Sequence, residues 1–292
     1  MSSDPLSLSQ LLTKYGLRPR KGLGQNFLAD PHHLSKIVEA AGLSPDDTVL
    51  EIGPGPGTLT RLLAAQAGHV IAVELDTELV KLLQNELVPD HPNLTIVPAD
   101  ILQVEPTALL QAALPGRPTP PAYKVVANLP YYITSAVLRH LLESDPRPVR
   151  LVVTVQKEVA RRIVAQPGEM SLLAVSIQFY GQPKLVHTIP AGAFYPPPQV
   201  DSAVVRIETY AERPVKVSDL DFFFQVVKAG FGQKRKQLKN TLASGLGRSP
   251  AEIILALERA GIEPSRRAQT LSLAEWGHLT AELSASQKFR HR

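Results

Sequence analysis

Between Thr48 and Val155 the chain alternates short aliphatic runs with one-sided helical stretches, and no other feature restricts its fold as much. Residues 48–52, 69–74 and 94–97, the run Val125-Val126-Ala127 that ends at Asn128, and 151–155 read as strands. The intervening 58–67, closed by Gly68, 78–87 and 135–143 read as helices. Strands that are apolar on both faces belong to parallel sheets covered on each side by helices, so a mostly parallel α/β sheet is expected. Upstream, Asp30-Pro31 reads as an N-cap followed by a first-turn proline. Leu34, Ile37, Val38 and Ala41 mark one face of the helix that follows, which Gly42 ends. Further on, 200–207 alternates apolar and polar positions, as an antiparallel edge strand would.

The composition shifts at Glu212-Arg213-Pro214, and the stretches 220–231, 234–246, 250–260 and 273–284 all read as helices. Two domains are therefore expected: residues 1–212, the α/β domain with an N-terminal extension, and residues 213–292, a small all-α domain. From Pro214 onward there are 13 Lys and Arg against 7 Asp and Glu, so the second domain carries the positive charge. Lys228, Lys234, Arg235, Lys236 and Lys239 fall within a helical-looking stretch there and suit a face that tracks phosphates, though an ordinary solvated helix face has the same composition. With no Cys, the chain has no disulfide, thiolate metal site or Cys nucleophile. It shows neither a signal peptide nor a run of about 18 apolar residues, which points to the cytoplasm and away from a membrane.

The chemistry is concentrated where strands end. Gly53, Gly55 and Gly57 in the loop EIGPGPGT follow the first strand, where the lack of a Cβ lets backbone approach a ligand. A dinucleotide fingerprint would have glycine at position 58, where Thr58 stands, and the two prolines stiffen the loop, so a nucleoside ligand without phosphates fits better. Glu74, at the end of the second strand, is placed to meet ribose hydroxyls, and Asp100, after the third, to accept from an adenine amine. At the fourth strand end stands Asn128-Leu129-Pro130-Tyr131: an amide oxygen beside a carbonyl held by proline, followed by an aromatic face. Two acceptors and a ring suit an exocyclic amine on a flat base, while an ordinary strand-to-loop junction is the plainer alternative.

This set, in this order, resembles the S-adenosylmethionine-dependent ribosomal RNA adenine N6-dimethyltransferases, and most closely the bacterial small-subunit branch. Further segments carry the likeness: GQNFL at 24–28, VQKEVAR at 155–161, FYPPPQVDSAVVR at 194–206 and FGQKRKQLKN at 231–240. The resemblance implies a Rossmann-like methyltransferase fold with a seven-stranded sheet, S-adenosyl-L-methionine as cofactor, and dimethylation of two adjacent adenosines near the 3′ end of 16S rRNA. It implies cofactor contacts at Gln25, Asn26, Leu28, Gly53, Gly55, Glu74, Asp100 and Asn128. It further implies a catalytic element of Asn128, Leu129, Pro130 and Tyr131, with Tyr131 stacking on the target base and Phe194 either on the opposite face or in the core. Arg18, Arg20 and Lys21, with the basic cluster of the second domain, are expected to hold rRNA. Methyl transfer from a sulfonium requires no metal, and the chain is expected to act as a monomer without one. Tyr132 departs from the family pattern, in which Asn often follows the tetrapeptide. Two readings compete: a large-subunit (23S) dimethylase of the macrolide-resistance type, and a non-catalytic RNA-binding assembly or transcription factor on the same fold.

Overall fold

The computed structural model describes residues 8–114 and 122–288; most of the proline-rich loop expected near 114–122 lies outside the described residues. Seven strands form the main sheet: β1 (Thr48–Ile52), β2 (His69–Glu74), β3 (Leu94–Pro98), β4 (Tyr123–Asn128), β5 (Arg150–Gln156), β6 (Gly181–Ile189) and β7 (Ser202–Thr209). Their order is β3-β2-β1-β4-β5-β7-β6. The pairs β1–β2, β1–β4, β2–β3 and β4–β5 are parallel, and β5–β7 is antiparallel.

The apolar runs behave as their composition dictates. Val49, Leu50, Ile71, Ala72, Val125, Val126, Val152 and Val153 are wholly buried, as strands covered on both faces require. The helix Pro31–Ala41 starts where Asp30 accepts the amides of His32 and His33 and ends at Gly42, whose φ of 53° only glycine adopts readily.

Strand β7 is antiparallel, as its alternation suggested, but it lies one place in from the edge. The edge strand is β6, which the sequence reading did not mark. Its one-sided exposure and Pro183 are both characteristic of an edge, where the ladder leaves one row of amides free.

The chain divides into two compact units, one made of residues up to Ala160 with Pro183–Thr209, the other of Arg161–Gln182 with the chain from Tyr210 on. The expected boundary at 212/213 thus falls close to one junction and misses the other. The cause is backbone pairing over long sequence separations: Gly168 and Met170 donate to the Gln269 carbonyl at 2.8 and 3.1 Å, and Tyr210 donates to Tyr180 at 2.9 Å. Phe179, Tyr180, Phe223 and Phe224 form an aromatic group in the same unit, with the Arg213 guanidinium over two of its rings.

The second unit also holds helices Leu220–Gly230, Leu238–Leu246, Pro250–Arg259 and Leu273–Lys288. The helix expected from 234 begins only at Leu238, because the amides of Leu238 and Lys239 bond to the carbonyls of Arg266 (2.7 Å) and Pro264 (3.4 Å). Lys234, Arg235 and Lys236 are therefore exposed on a turn and not on a helix face. Among the described residues, no helix is long and apolar enough to cross a membrane.

Candidate active site

Parallel strands in register end on one rim. Ile52 lies opposite Val73 and Ala127, Glu74 opposite Pro98, and Asn128 opposite Thr154. The chain leaves β1 toward β2 on one side and reaches β4 on the other, and the crevice at such a reversal is where open sheets bind ligands. A cleft open to solvent lies there.

Ten of the expected site residues line this cleft: Gln25, Asn26, Gly53, Gly55, Glu74, Asp100 and the whole tetrapeptide Asn128 to Tyr131. At Gly53 the backbone has a φ of 66°, and a Cβ built there would meet no atom within 4 Å. Glu74 is 7% exposed, and its two carboxylate oxygens accept from the amides of Gly55 (3.1 Å) and Asp76 (2.9 Å). Burial pushes its pKa up, while the two amides oppose the rise. Its lone pairs thus stand at fixed positions on the wall. Asp100 accepts from the Leu102 amide at 3.0 Å, which turns the chain along the cleft floor.

The segment before the first long helix is tied to the turn after β2. Gln25 accepts from the Arg20 amide (2.8 Å) and donates to Asp76 (3.0 Å), and the Arg20 guanidinium lies 3.4 Å from the same carboxylate. Asn26 in turn offers its carbonyl to Asn128, whose Nδ2 donates to it at 3.1 Å. With the nitrogen spent this way, Oδ1 is the group Asn128 has left to accept with. The Leu129 amide donates to Thr154 of β5 (3.2 Å), and the Tyr131 hydroxyl bonds Ser202 of β7 (2.7 Å), so the tetrapeptide is held at both ends. Burial raises the pKa of Tyr131, and Ser202 opposes that rise. Tyr132 is 63% exposed and its ring lies against Gly24 at the cleft wall.

Two expected residues do not line this cleft, although Leu28 lines a second pocket that shares Gly53 and Asn128 with it. Phe27–Leu28 pairs antiparallel with Phe194–Tyr195, Leu28 opposite Phe194. Leu28 is 2% exposed and Phe194 4%, both in one core cluster with Leu34 and Ile37. Successive strand residues point to opposite faces, so Phe27 is the aromatic that reaches the cleft, where its ring lies against Gly55. Of its two possible places, Phe194 takes the core. The backbone of Leu28 still serves the loop, its carbonyl accepting from Thr58 Oγ1 at 2.8 Å.

Sequence reasoning also passed over Leu75 and Ile101, the apolar residues directly after Glu74 and after Asp100, which line the cleft. The available signal was an apolar residue directly following a strand-end acid. A third omission is Glu51, one residue before the end of β1. It is 1% exposed, Oε2 has no hydrogen-bond partner, and burial raises its pKa to about 8, with Thr60 opposing and Glu74 adding to the rise. The folded chain therefore keeps a proton that the unfolded chain releases near pH 4.5. The resulting stability is complete below that point and is lost as pH rises through about 8, at about 1.4 kcal/mol per pH unit inside the window. Relative to Glu51→Gln, the parent should lose about 2 kcal/mol of unfolding free energy between about pH 6 and pH 8 in urea titrations. Parallel curves for the two proteins would disprove a buried neutral acid at this position.

The cations expected to hold rRNA fall in two places. Arg18, Arg20 and Lys21 flank the short turn Lys21–Leu23 beside the cleft residues Leu23 and Gly24, with Arg20 engaged by Asp76. Lys228, Lys234, Arg235 and Lys236 are exposed in the second unit, and Lys239 is half-buried there.

The family model for ribosomal RNA adenine dimethylase matches residues 16–283. The chain belongs to that family. As a ribosomal RNA adenine dimethylase by descent, it is a methyltransferase of the S-adenosylmethionine-dependent kind. It is 52% identical over 268 residues to the ribosomal RNA small subunit methyltransferase A of Dehalococcoides mccartyi, covering 91% of this chain and 89% of the relative. Among solved structures it is similar to the 23S rRNA methyltransferase ErmE, at 30% identity and a TM-score of 0.69 over 89% of this chain and all of that one. A dimethyladenosine transferase from Plasmodium falciparum shares the fold, with a TM-score of 0.74 at 23% identity over 89% of this chain and 98% of that one.

Proposed function

We propose that this protein transfers methyl groups from S-adenosylmethionine to the N6 amino groups of two adjacent adenosines near the 3′ end of 16S rRNA. The observation that carries the reading is the orientation of Asn128: its Nδ2 is committed to Asn26, which leaves Oδ1 as an acceptor beside the Leu129 carbonyl in the cleft that Gly53 and Glu74 also line. The small-subunit target is favoured over a large-subunit one because identity to the small-subunit methyltransferase is 52%, against 30% to the 23S enzyme.

The cleft fits the cofactor on its own terms. Open space at Gly53 accommodates a ligand that a side chain would exclude, fixed acceptors at Glu74 suit ribose hydroxyls, and Leu75 and Ile101 offer apolar surface to a purine. Gln25 and Asn26 would close over the methionine end. When bound, the cofactor supplies an electrophilic methyl group on a positively charged sulfur.

The remaining work falls to this chain's residues. An adenine amino nitrogen shares its lone pair with the ring and is a poor nucleophile. Acceptors at Asn128 Oδ1 and the Leu129 carbonyl would hold its two hydrogens, favour the pyramidal nitrogen and orient the lone pair for in-line attack. Tyr131, fixed through Ser202, would give the extruded base a face to stack on. Pro130 keeps the carbonyl in place by fixing the following backbone.

Arg18, Lys21 and the cations of the second unit would hold rRNA through its phosphates, reading shape more than base edges. Charge reversal at Lys234, Arg235 and Lys236 together should weaken rRNA binding at least about tenfold at fixed salt and flatten its salt dependence by about two to three charges. Cofactor affinity should be unchanged, and undiminished rRNA affinity at matched ionic strength would remove the turn from the interface.

The reading as a whole is tested by incubating undermethylated small subunits with the protein and labelled methyl donor, then analysing their adenosines by mass spectrometry. Dimethyladenosine at two adjacent positions is expected. Methylation of large-subunit rRNA alone would favour the 23S alternative, and no transfer to either would favour a non-catalytic assembly or transcription factor. The same reading puts the protein in the cytoplasm, as a monomer.

A further inference from the structure

Helix Pro31–Ala41 and the edge strand β6 bring three imidazoles together outside the lining of the cleft. His32 and His33 are successive residues in the first turn of the helix, and His187 lies on β6. One ring nitrogen from each falls within 4.8 Å of the other two. His33 Nδ1 and His187 Nε2 are 2.8 Å apart, although 154 residues separate them in the chain. The three ring centroids are 5.0 to 5.8 Å apart.

We propose that His32, His33 and His187 form a structural site for a divalent transition metal of the zinc type, with water completing the coordination. Nitrogen ligands at the usual metal distance in a tetrahedral site lie about 3.3 Å from one another. One pair here is 2.8 Å apart and all three ligand nitrogens lie within 4.8 Å of one another, close enough that side-chain adjustment would bring them to that spacing. Three imidazoles with no carboxylate favour zinc, cobalt, nickel or copper over magnesium or calcium.

The surrounding charges permit a cation. Asp30 accepts the amides of His32 and His33 and counters the positive end of the helix, and Lys36 is paired with Glu39 at 2.8 Å. A bound metal would fasten the edge strand, the element of a sheet most open to fraying, to the start of the helix that follows the Phe27–Leu28 pairing. It takes no part in methyl transfer, so the expectation of a metal-free reaction stands beside it.

The test uses the full-length protein stripped with chelator and then titrated with Zn²⁺ by calorimetry and with Co²⁺ by visible absorption. Saturable binding at one equivalent, an intense tetrahedral Co²⁺ spectrum and a higher Tm with Zn²⁺ are expected, with all three lost in His187→Ala. His32→Ala, at an exposed position, provides a second variant if His187→Ala does not fold, and metal-free unfolding by circular dichroism checks both. Absence of saturable binding, a weak octahedral spectrum, or binding unchanged in the variants would overturn the proposal. Methyl-transfer activity reports separately on the catalytic reading and does not bear on this one.

Discussion

Asn128→Ala should lower kcat for methyl transfer by about 100- to 1,000-fold, the usual cost of removing one fixed hydrogen-bonding group from a transition state. Stability should fall only by about 1 kcal/mol, because the structure loses a single side-chain bond, the one to the Asn26 carbonyl. That bond gives Asn128 a second role, since it ties the tetrapeptide to the segment that carries Gln25 and Asn26. Asn128→Asp separates the two roles: it keeps an acceptor near the amine and loses the donor to Asn26. If positioning dominates, the aspartate variant should be nearly as slow as the alanine one. Single-turnover rates on undermethylated small subunits, measured beside cofactor affinity, make the comparison. An alanine variant with parental kcat would remove Asn128 from the chemistry.

The second large effect separates two glycines that look equivalent in the loop EIGPGPGT. Gly57, at the N-cap of helix Thr58–Ala64, has a φ of 85°, and a Cβ there would lie 2.6 Å from Leu87 Cδ2 and 2.9 Å from Leu83 Cδ2. Both leucines are wholly buried, so their Cδ atoms can move aside only by repacking the core. Gly57→Ala should therefore cost about 2–5 kcal/mol, overpacking added to left-handed strain, a large part of the stability of an ordinary domain. Gly53→Ala carries the same kind of backbone strain at φ 66° but meets nothing within 4 Å. It should fold with a loss of about 1–2 kcal/mol and fail to bind S-adenosylmethionine, because the new methyl enters the cleft. Urea unfolding and cofactor calorimetry on both variants give the two axes. Equal stability losses in the pair would refute the division of labour.

The cleft was largely legible in the sequence because its parts lie at the ends of consecutive parallel strands. Once β1, β2, β3 and β4 are in register, Gly53, Glu74, Asp100 and Asn128 must share a rim, and strand periodicity alone establishes the order of ends along the chain. What stayed hidden has a different cause. Leu28 and Phe194 are neighbours across a two-residue ladder whose partners lie far apart in sequence, and which face of that ladder meets the core is not encoded locally. The turn carrying Lys234, Arg235 and Lys236 looked helical until the Pro264 and Arg266 carbonyls claimed the amides that begin the next helix. Glu51 sits in a motif that was read for its glycines, and its burial follows from packing that no short window contains.

Local spacing was enough to determine that this chain builds a parallel α/β sheet with a glycine loop, two acidic strand ends and an amide-proline-phenol segment along one edge, since periodicity and turn chemistry are properties of neighbouring residues. Tertiary structure alone decided that β6 forms the edge, that Arg161–Gln182 joins the helical unit, that Phe27 faces the cleft where Phe194 does not, and that His187 meets His32 and His33. Those outcomes depend on contacts between segments tens to hundreds of residues apart, whose energies are set by packing and backbone pairing once the chain has closed on itself.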